Sequence, residues 1–111
     1  MSGQAFLRET AGLIQRGWCC GAEARNCHGD EVSASHPAAT SWSLLGALVA
    51  ISERPDADTR ALKEALWGIS GVIPDASLNA WNNTPGRTQT DTLHMLTLAE
   101  TSLREEPTPT T

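Results

Sequence analysis

Trp42-Ser43-Leu44-Leu45-Gly46-Ala47-Leu48-Val49-Ala50-Ile51 is the stretch whose reading decides the fold. Its apolar residues go all the way round a helical wheel, and a helix of that kind sits inside a core. Pro37 suits the opening of such a helix, because its missing N–H falls where a helix start leaves N–H groups unpaired anyway. The reading is a central buried helix over about Ala38 to Glu53, with Trp42, Leu45, Leu48 and Val49 in the middle of the domain.

Outward from this segment, Arg54-Pro55-Asp56 ends one helix and starts the next. Asp56 or Asp58 caps a helix running to about Ile69, with Ala61, Leu62, Ala65, Leu66 and Ile69 as its buried stripe. Ser70-Gly71 stops it. A short helical turn is expected over Asp75 to Trp81, capped by Asp75 or Ser77. A last helix runs from about Thr88 to Arg104, with Leu93, Leu96, Ala99 and Leu103 inward and His94 facing solvent. Upstream, Gln4 to Arg16 places Phe6, Leu7, Thr10, Ala11, Leu13 and Ile14 on one face, with Ser2 as cap and Gly17 as a C′ stop.

Trp18 to Ser35 has no helical period. Trp18–Arg25 can pair with Glu31–Ala34 around a turn at His28-Gly29-Asp30. The fold class is therefore mainly α: a compact bundle of about four helices with a small β-hairpin or irregular insert after helix 1. One domain spans 1–104, a disordered tail spans 105–111, and no internal repeat of usable length is visible.

Composition narrows the function classes. The chain of 111 residues carries a formal net charge of −5. That opposes direct nucleic-acid binding, which needs clustered cations facing phosphates. An acidic surface suits a partner protein whose own surface is basic or mixed. No apolar run is long enough to cross a bilayer. Met1-Ser2-Gly3-Gln4 lacks the basic-then-apolar pattern of a secretory leader, and three cysteines without one read as reduced thiols. The expected location is cytoplasmic. The oligomeric state is not encoded in any visible pattern.

Four tryptophans stand beside one Phe and no Tyr. A Trp buries a large area and needs a partner for its indole N–H, so the four anchor either a core or a binding surface. Trp81-Asn82-Asn83-Thr84-Pro85-Gly86-Arg87-Thr88 admits both readings. Structurally, Trp81 plugs the core and the Asn side chains order a turn. Functionally, Trp81, Asn82, Asn83 and Arg87 form a polar-aromatic patch at a helix N-terminus, where an anion can bind. Trp18 and Arg25 extend that patch into a candidate ligand set. Asp30 and Glu31, at the hairpin turn, are the candidate acidic contacts for a protein partner.

Cysteine chemistry gives weaker alternatives. Cys19, Cys27 and His28 have zinc-ligand types but lack the two-to-four-residue spacing of structural sites, so no metal or other cofactor is expected. Cys19 with His36 has the residue types of a nucleophile and base without a family signature. No catalytic residue is assigned.

The order Gly17-Trp18-Cys19, Gly21-Ala22 with Ala24-Arg25, Gly29, Trp42 with Gly46-Ala47-Leu48, Trp81-Asn82 and Gly86-Arg87-Thr88 resembles a small domain family of unknown function found in actinobacterial and phage genomes. The resemblance spans most of the chain, from the first helix to the last. The sequence departs from the family pattern at Asn83, where Asp is commoner, and at Cys20 and Cys27. The resemblance implies a fold and a context of accessory or host-takeover roles, and it brings no activity. Two functions follow. One is a non-enzymatic protein-interaction module, encoded by a phage or mobile element, that inhibits or modulates a host defence protein. The other is a small-ligand binding domain or enzyme using Trp18, Arg25, Trp81, Asn82 and Arg87.

Overall fold

A computed structural model describes residues 1–73 and 77–105, apart from the side chains of Arg104 and Glu105. The described elements are α1 (Gly3–Arg16), β1 (Ala24–Arg25), β2 (Glu31–Val32), β3 (Ser41–Trp42), α2 (Leu44–Ser52), α3 (Thr59–Ser70), α4 (Leu78–Asn82) and α5 (Gln89–Glu105). The chain is mainly helical, with five described helices where about four were expected. Asp75, a proposed cap, and the expected tail beyond Glu105 lie outside the described residues.

The starts of α1, α3, α4 and α5 follow the sequence closely. Ser2, Asp58 and Ser77 each accept from the backbone N–H three residues on, which satisfies one orphan donor per helix. Thr88 and Asp91 bond reciprocally at 3.1 Å, a capping box that opens α5. Gln89 Nε2 then donates to the carbonyls of Ile14 and Gln15 and so closes the end of α1.

The decisive stretch behaves differently from its reading. Trp42 lies on a strand, and Ser43 caps a helix that begins only at Leu44. Residues 37–40 form turn and coil, so Pro37 opens no helix. The reason is the competing backbone pairing. Ala24 of β1 pairs antiparallel with both Val32 and Trp42, giving the strand order β2-β1-β3. Trp42 also bridges in parallel to Trp18. The expected long strand Trp18–Arg25 is thus divided: Ala24–Arg25 pairs with β2 as expected, while Trp18 joins the far side of β3.

The central helix is α1. It packs against α2, α3, α5 and β3, and Phe6, Leu7 and Ile14 are buried on its inner face. On α2, Leu44, Ala47, Leu48 and Ile51 are buried, whereas Leu45 and Val49 are only half-buried. The all-round apolar pattern therefore overstates how enclosed α2 is.

Two glycines are fixed by close approach. A Cβ on Gly46 would stand 1.8 Å from the carbonyl oxygen of Glu23, which passes over the start of α2. A Cβ on Gly17 would stand 2.2 Å from the carbonyl oxygen of Thr40. Gly17 has an extended backbone with φ 178°, so it stops α1 by making room for β3 and not by the left-handed turn that C′ glycines usually supply.

A repeat does exist, in structure. Pro55 and Pro85 stand thirty residues apart, each three residues after a helix end and three before the next cap. Arg54 N–H donates to Ile51 as Thr84 N–H donates to Trp81. Ala57 N–H donates to Arg54 as Arg87 N–H donates to Thr84. The caps Asp58 and Thr88 complete the match. α2-turn-α3 and α4-turn-α5 are thus two copies of one helical unit, with α2 packed on α4, α3 packed on α5, and α1 against both α3 and α5.

Candidate functional site

Asn82 ends α4 and is wholly buried. Its Oδ1 accepts from the Trp18 indole N–H at 2.8 Å and from the Leu44 backbone N–H at 3.0 Å. Its Nδ2 donates to the Cys19 carbonyl at 3.2 Å and to Asn83 Oδ1 at 3.1 Å. A carboxamide has two acceptor and two donor positions, and all four are engaged. Asn83 Oδ1 also accepts from Gly21 N–H at 3.0 Å. The two Asn side chains therefore pin the 18–21 segment and the start of α2 to the end of α4.

The remaining members of the aromatic set are drawn into similar tasks. Arg87 lies over the Trp81 ring, with Cζ 3.9 Å from its centroid, and Nε donates to the Trp81 carbonyl at 2.9 Å. That stack joins a cation–π contact to a backbone bond. At the start of α5, Asp91 accepts from Thr88 N–H, so the chain's own carboxylate occupies the anion position there. Arg25 donates to the carbonyls of Gly29 and Cys20 at 2.9 and 3.2 Å, closing the hairpin onto the preceding loop. The structure thus joins Trp18, Asn82 and Asn83 in one network and Trp81 with Arg87 in a second. Arg25 braces the hairpin, and Asp30 and Glu31 are exposed at its tip.

Cys19 is buried, while Cys20 and Cys27 are exposed. Burial raises the pKa of the Cys19 thiol, partly offset by a hydrogen bond to Ser41 and by the charge of Arg25. Its Sγ faces the Ala22 carbonyl, and His36 Nδ1 accepts from Ala38 N–H, so no hydrogen bond joins the two as a nucleophile pair. His28 is exposed in the turn beside Cys27. Among the described residues, no group of three or more His, Cys, Asp or Glu is placed to hold a metal.

Two concavities were not foreseen. An open groove of about 450 Å³ runs between the end of α1, the 34–39 turn and the end of α2, with Arg16, His36, Trp42, Glu53 and Arg54 in its walls. A smaller, more apolar one of about 360 Å³ is lined by Leu66, Ile69, Ser70, Ile73 and Leu78. The first has no local signal in the sequence, because its wall forms only where Trp42 on β3 packs beside the end of α1. At the second, Leu66, expected in the buried stripe of α3, is instead exposed, because the face that α3 buries runs through Ala61, Ala65, Gly68 and Ile69.

The molecule is a helical domain whose small sheet is clasped by a buried asparagine. It belongs to the family of unknown function DUF6197, which matches residues 1–102. No curated protein and no solved structure matches the chain. No helix among the described residues is long and apolar enough to cross a membrane.

Proposed function

We propose that this chain is a non-enzymatic protein-interaction module that binds and modulates another protein. The surface of α3 carries the reading. Trp67 is 64% exposed and Leu66 37% exposed, beside the apolar groove of Ile69, Ile73 and Leu78. Leu96 holds the place of Leu66 in the second helical unit, and it is 1% exposed. One copy of the unit covers its leucine; the other leaves it on the surface. Exposed apolar surface around a Trp is the composition of contact sites and their energetic centres.

Charge defines the partner. The chain's net charge of −5 and the exposed Asp30 and Glu31 suit a protein with a basic or mixed surface. A role as an accessory protein of a phage or other mobile element, acting on a host defence protein, fits this reading. The small-ligand alternative at Trp18, Arg25, Trp81, Asn82 and Arg87 has less support, because Asn82 has no hydrogen-bonding position left to offer.

The test starts with crosslinking from a bacterial lysate, followed by kinetics on the isolated pair. Leu66→Glu with Trp67→Ser should weaken binding about tenfold or more with the fold intact. Asp30→Lys with Glu31→Lys should slow association more than it speeds dissociation, and added salt should do the same. A partner indifferent to all four substitutions would overturn the reading. So would turnover of a small molecule that is lost on Arg87→Ala.

A further inference from the structure

We propose that the groove between the end of α1, the 34–39 turn and the end of α2 binds a small molecule that carries an oxyanion, carboxylate or phosphate, on an apolar body. The inference starts from the arginines. Arg8 pairs with Glu100, Arg54 with Glu9 and Arg60 with Glu64. Arg25 and Arg87 donate to carbonyls. Of the arginines with described side chains, Arg16 alone makes no hydrogen bond or ion pair among the described residues. Its guanidinium stands 5.2 Å from the centroid of Trp42, in the wall of the groove.

That arrangement presets a donor fork. Stacking on an indole limits the freedom of the guanidinium without using its N–H groups, and a planar fork matches carboxylate or phosphate. A second donor is available nearby. His36 Nδ1 accepts from Ala38 N–H at 2.9 Å, which leaves the imidazole proton on Nε2. Arg54 supplies further N–H groups, since only one of its terminal nitrogens is bonded to Glu9. Glu53, the acid in the wall, already accepts from the Ser35 hydroxyl. The Trp42 indole N–H is directed inward to the Ala34 carbonyl at 2.9 Å, and the largely buried ring forms part of the groove's wall beneath Arg16.

Leu13, Ala50 and Pro55 provide apolar wall. At about 450 Å³ the groove has the size of sites for small organic ligands. Cationic donors and apolar side chains in the same walls require a ligand with both features. A bare anion would leave the wall wet, and a neutral ring would leave the arginines unmatched.

The test is a titration followed by the indole N–H resonances. Phenyl phosphate and benzoate, each carrying both features, should shift the Trp42 resonance saturably in the millimolar range, about 1–10 mM. The Trp18 resonance, locked to Asn82, should stay still. Whichever of the two binds tighter identifies the oxyanion. Arg16→Gln should weaken both about tenfold, and Arg16→Lys should restore little, because an ammonium lacks the fork. Ala50→Phe should fill the groove and abolish the shift. Equal shifts with benzyl alcohol would overturn the oxyanion; equal shifts with inorganic phosphate would overturn the apolar body. No saturable shift with any probe, or parent affinity in Arg16→Gln, would overturn the site.

Discussion

The indole N–H of Trp18 donates to the side-chain oxygen of Asn82 at 2.8 Å, across 64 residues of chain. The same oxygen receives the backbone N–H of Leu44, at the start of α2. One carboxamide thereby supplies two segments that cannot satisfy these donors from within their own elements.

Removing that carboxamide should be among the costliest single changes in the domain. Asn82→Ala strands a half-buried indole N–H together with a buried backbone N–H and a buried carbonyl, and each buried group costs about 1–3 kcal/mol when left unpaired. We expect a loss of about 3 kcal/mol or more by chemical denaturation. Asn82→Asp keeps the acceptor, loses the donor to Cys19 and places a charge in the core, so it should also destabilise strongly. An Asn82→Ala protein within about 1 kcal/mol of the parent would show that the clasp is not structural.

Glycine substitutions should separate by their surroundings. In a helix interior, Gly→Ala ordinarily gains about 0.5–1 kcal/mol. Gly12 on α1 has open space where a Cβ would go, so Gly12→Ala should raise the melting temperature. Gly46→Ala meets the Glu23 carbonyl at 1.8 Å and should cost about 2 kcal/mol or more as backbone is forced apart. Thermal melts of the two variants moving in the same direction would refute the close approach at Gly46.

Leucines on α2 should also differ. Leu48 is 2% exposed, and Leu48→Ala should cost about 2–5 kcal/mol. Leu45 is half-buried and should cost about half as much. Equal losses in denaturant titrations would restore the fully enclosed helix that the sequence pattern implies.

Thiol chemistry gives a pH test. Cys20 and Cys27 should react promptly with a maleimide or a disulfide reagent, with Cys19 reacting only on unfolding. The raised Cys19 pKa means that the folded state holds the thiol proton more tightly than the unfolded state does. That contribution is present below the ordinary thiol range and is lost as the pH rises through the raised folded value. Stability should fall on the alkaline side in the parent and less in Cys19→Ala. Equal labelling rates at all three cysteines, or identical alkaline profiles, would contradict the burial. A chelator should leave the melt unchanged, since no three His, Cys, Asp or Glu side chains among the described residues are grouped to hold a metal; unfolding by the chelator would reveal a bound metal.

The helices were legible because their signals are local. Ser2, Asp58, Ser77 and Thr88 act as caps through bonds to residues three positions away, and such bonds depend on little else. The hairpin was legible in part, from its glycine and alternating residues. β3 was not, because Ser41–Trp42 becomes a strand only when β1 and Trp18 lie on either side of it. The repeat is faint in the sequence because Pro55 and Pro85, with Leu66 and Leu96, are its only identical pairs from residue 52 to 70. For the Trp81–Arg87 stretch, both a structural and a functional reading were open. The bonds that decide Asn82's part, to Trp18, Leu44 and Cys19, are all remote in sequence.

The Asn82 clasp also constrains how the chain can reach this structure. Local helices can form early, but Trp18 and the start of α2 each keep an unpaired donor until α4 arrives, and closing so long a loop is entropically slow. A fragment ending at residue 73 would carry α1, the sheet, α2 and α3 and still lack the group that completes them. The two helical units resemble each other, yet an amide of the second that holds the start of the first should make them unfold together in one cooperative transition.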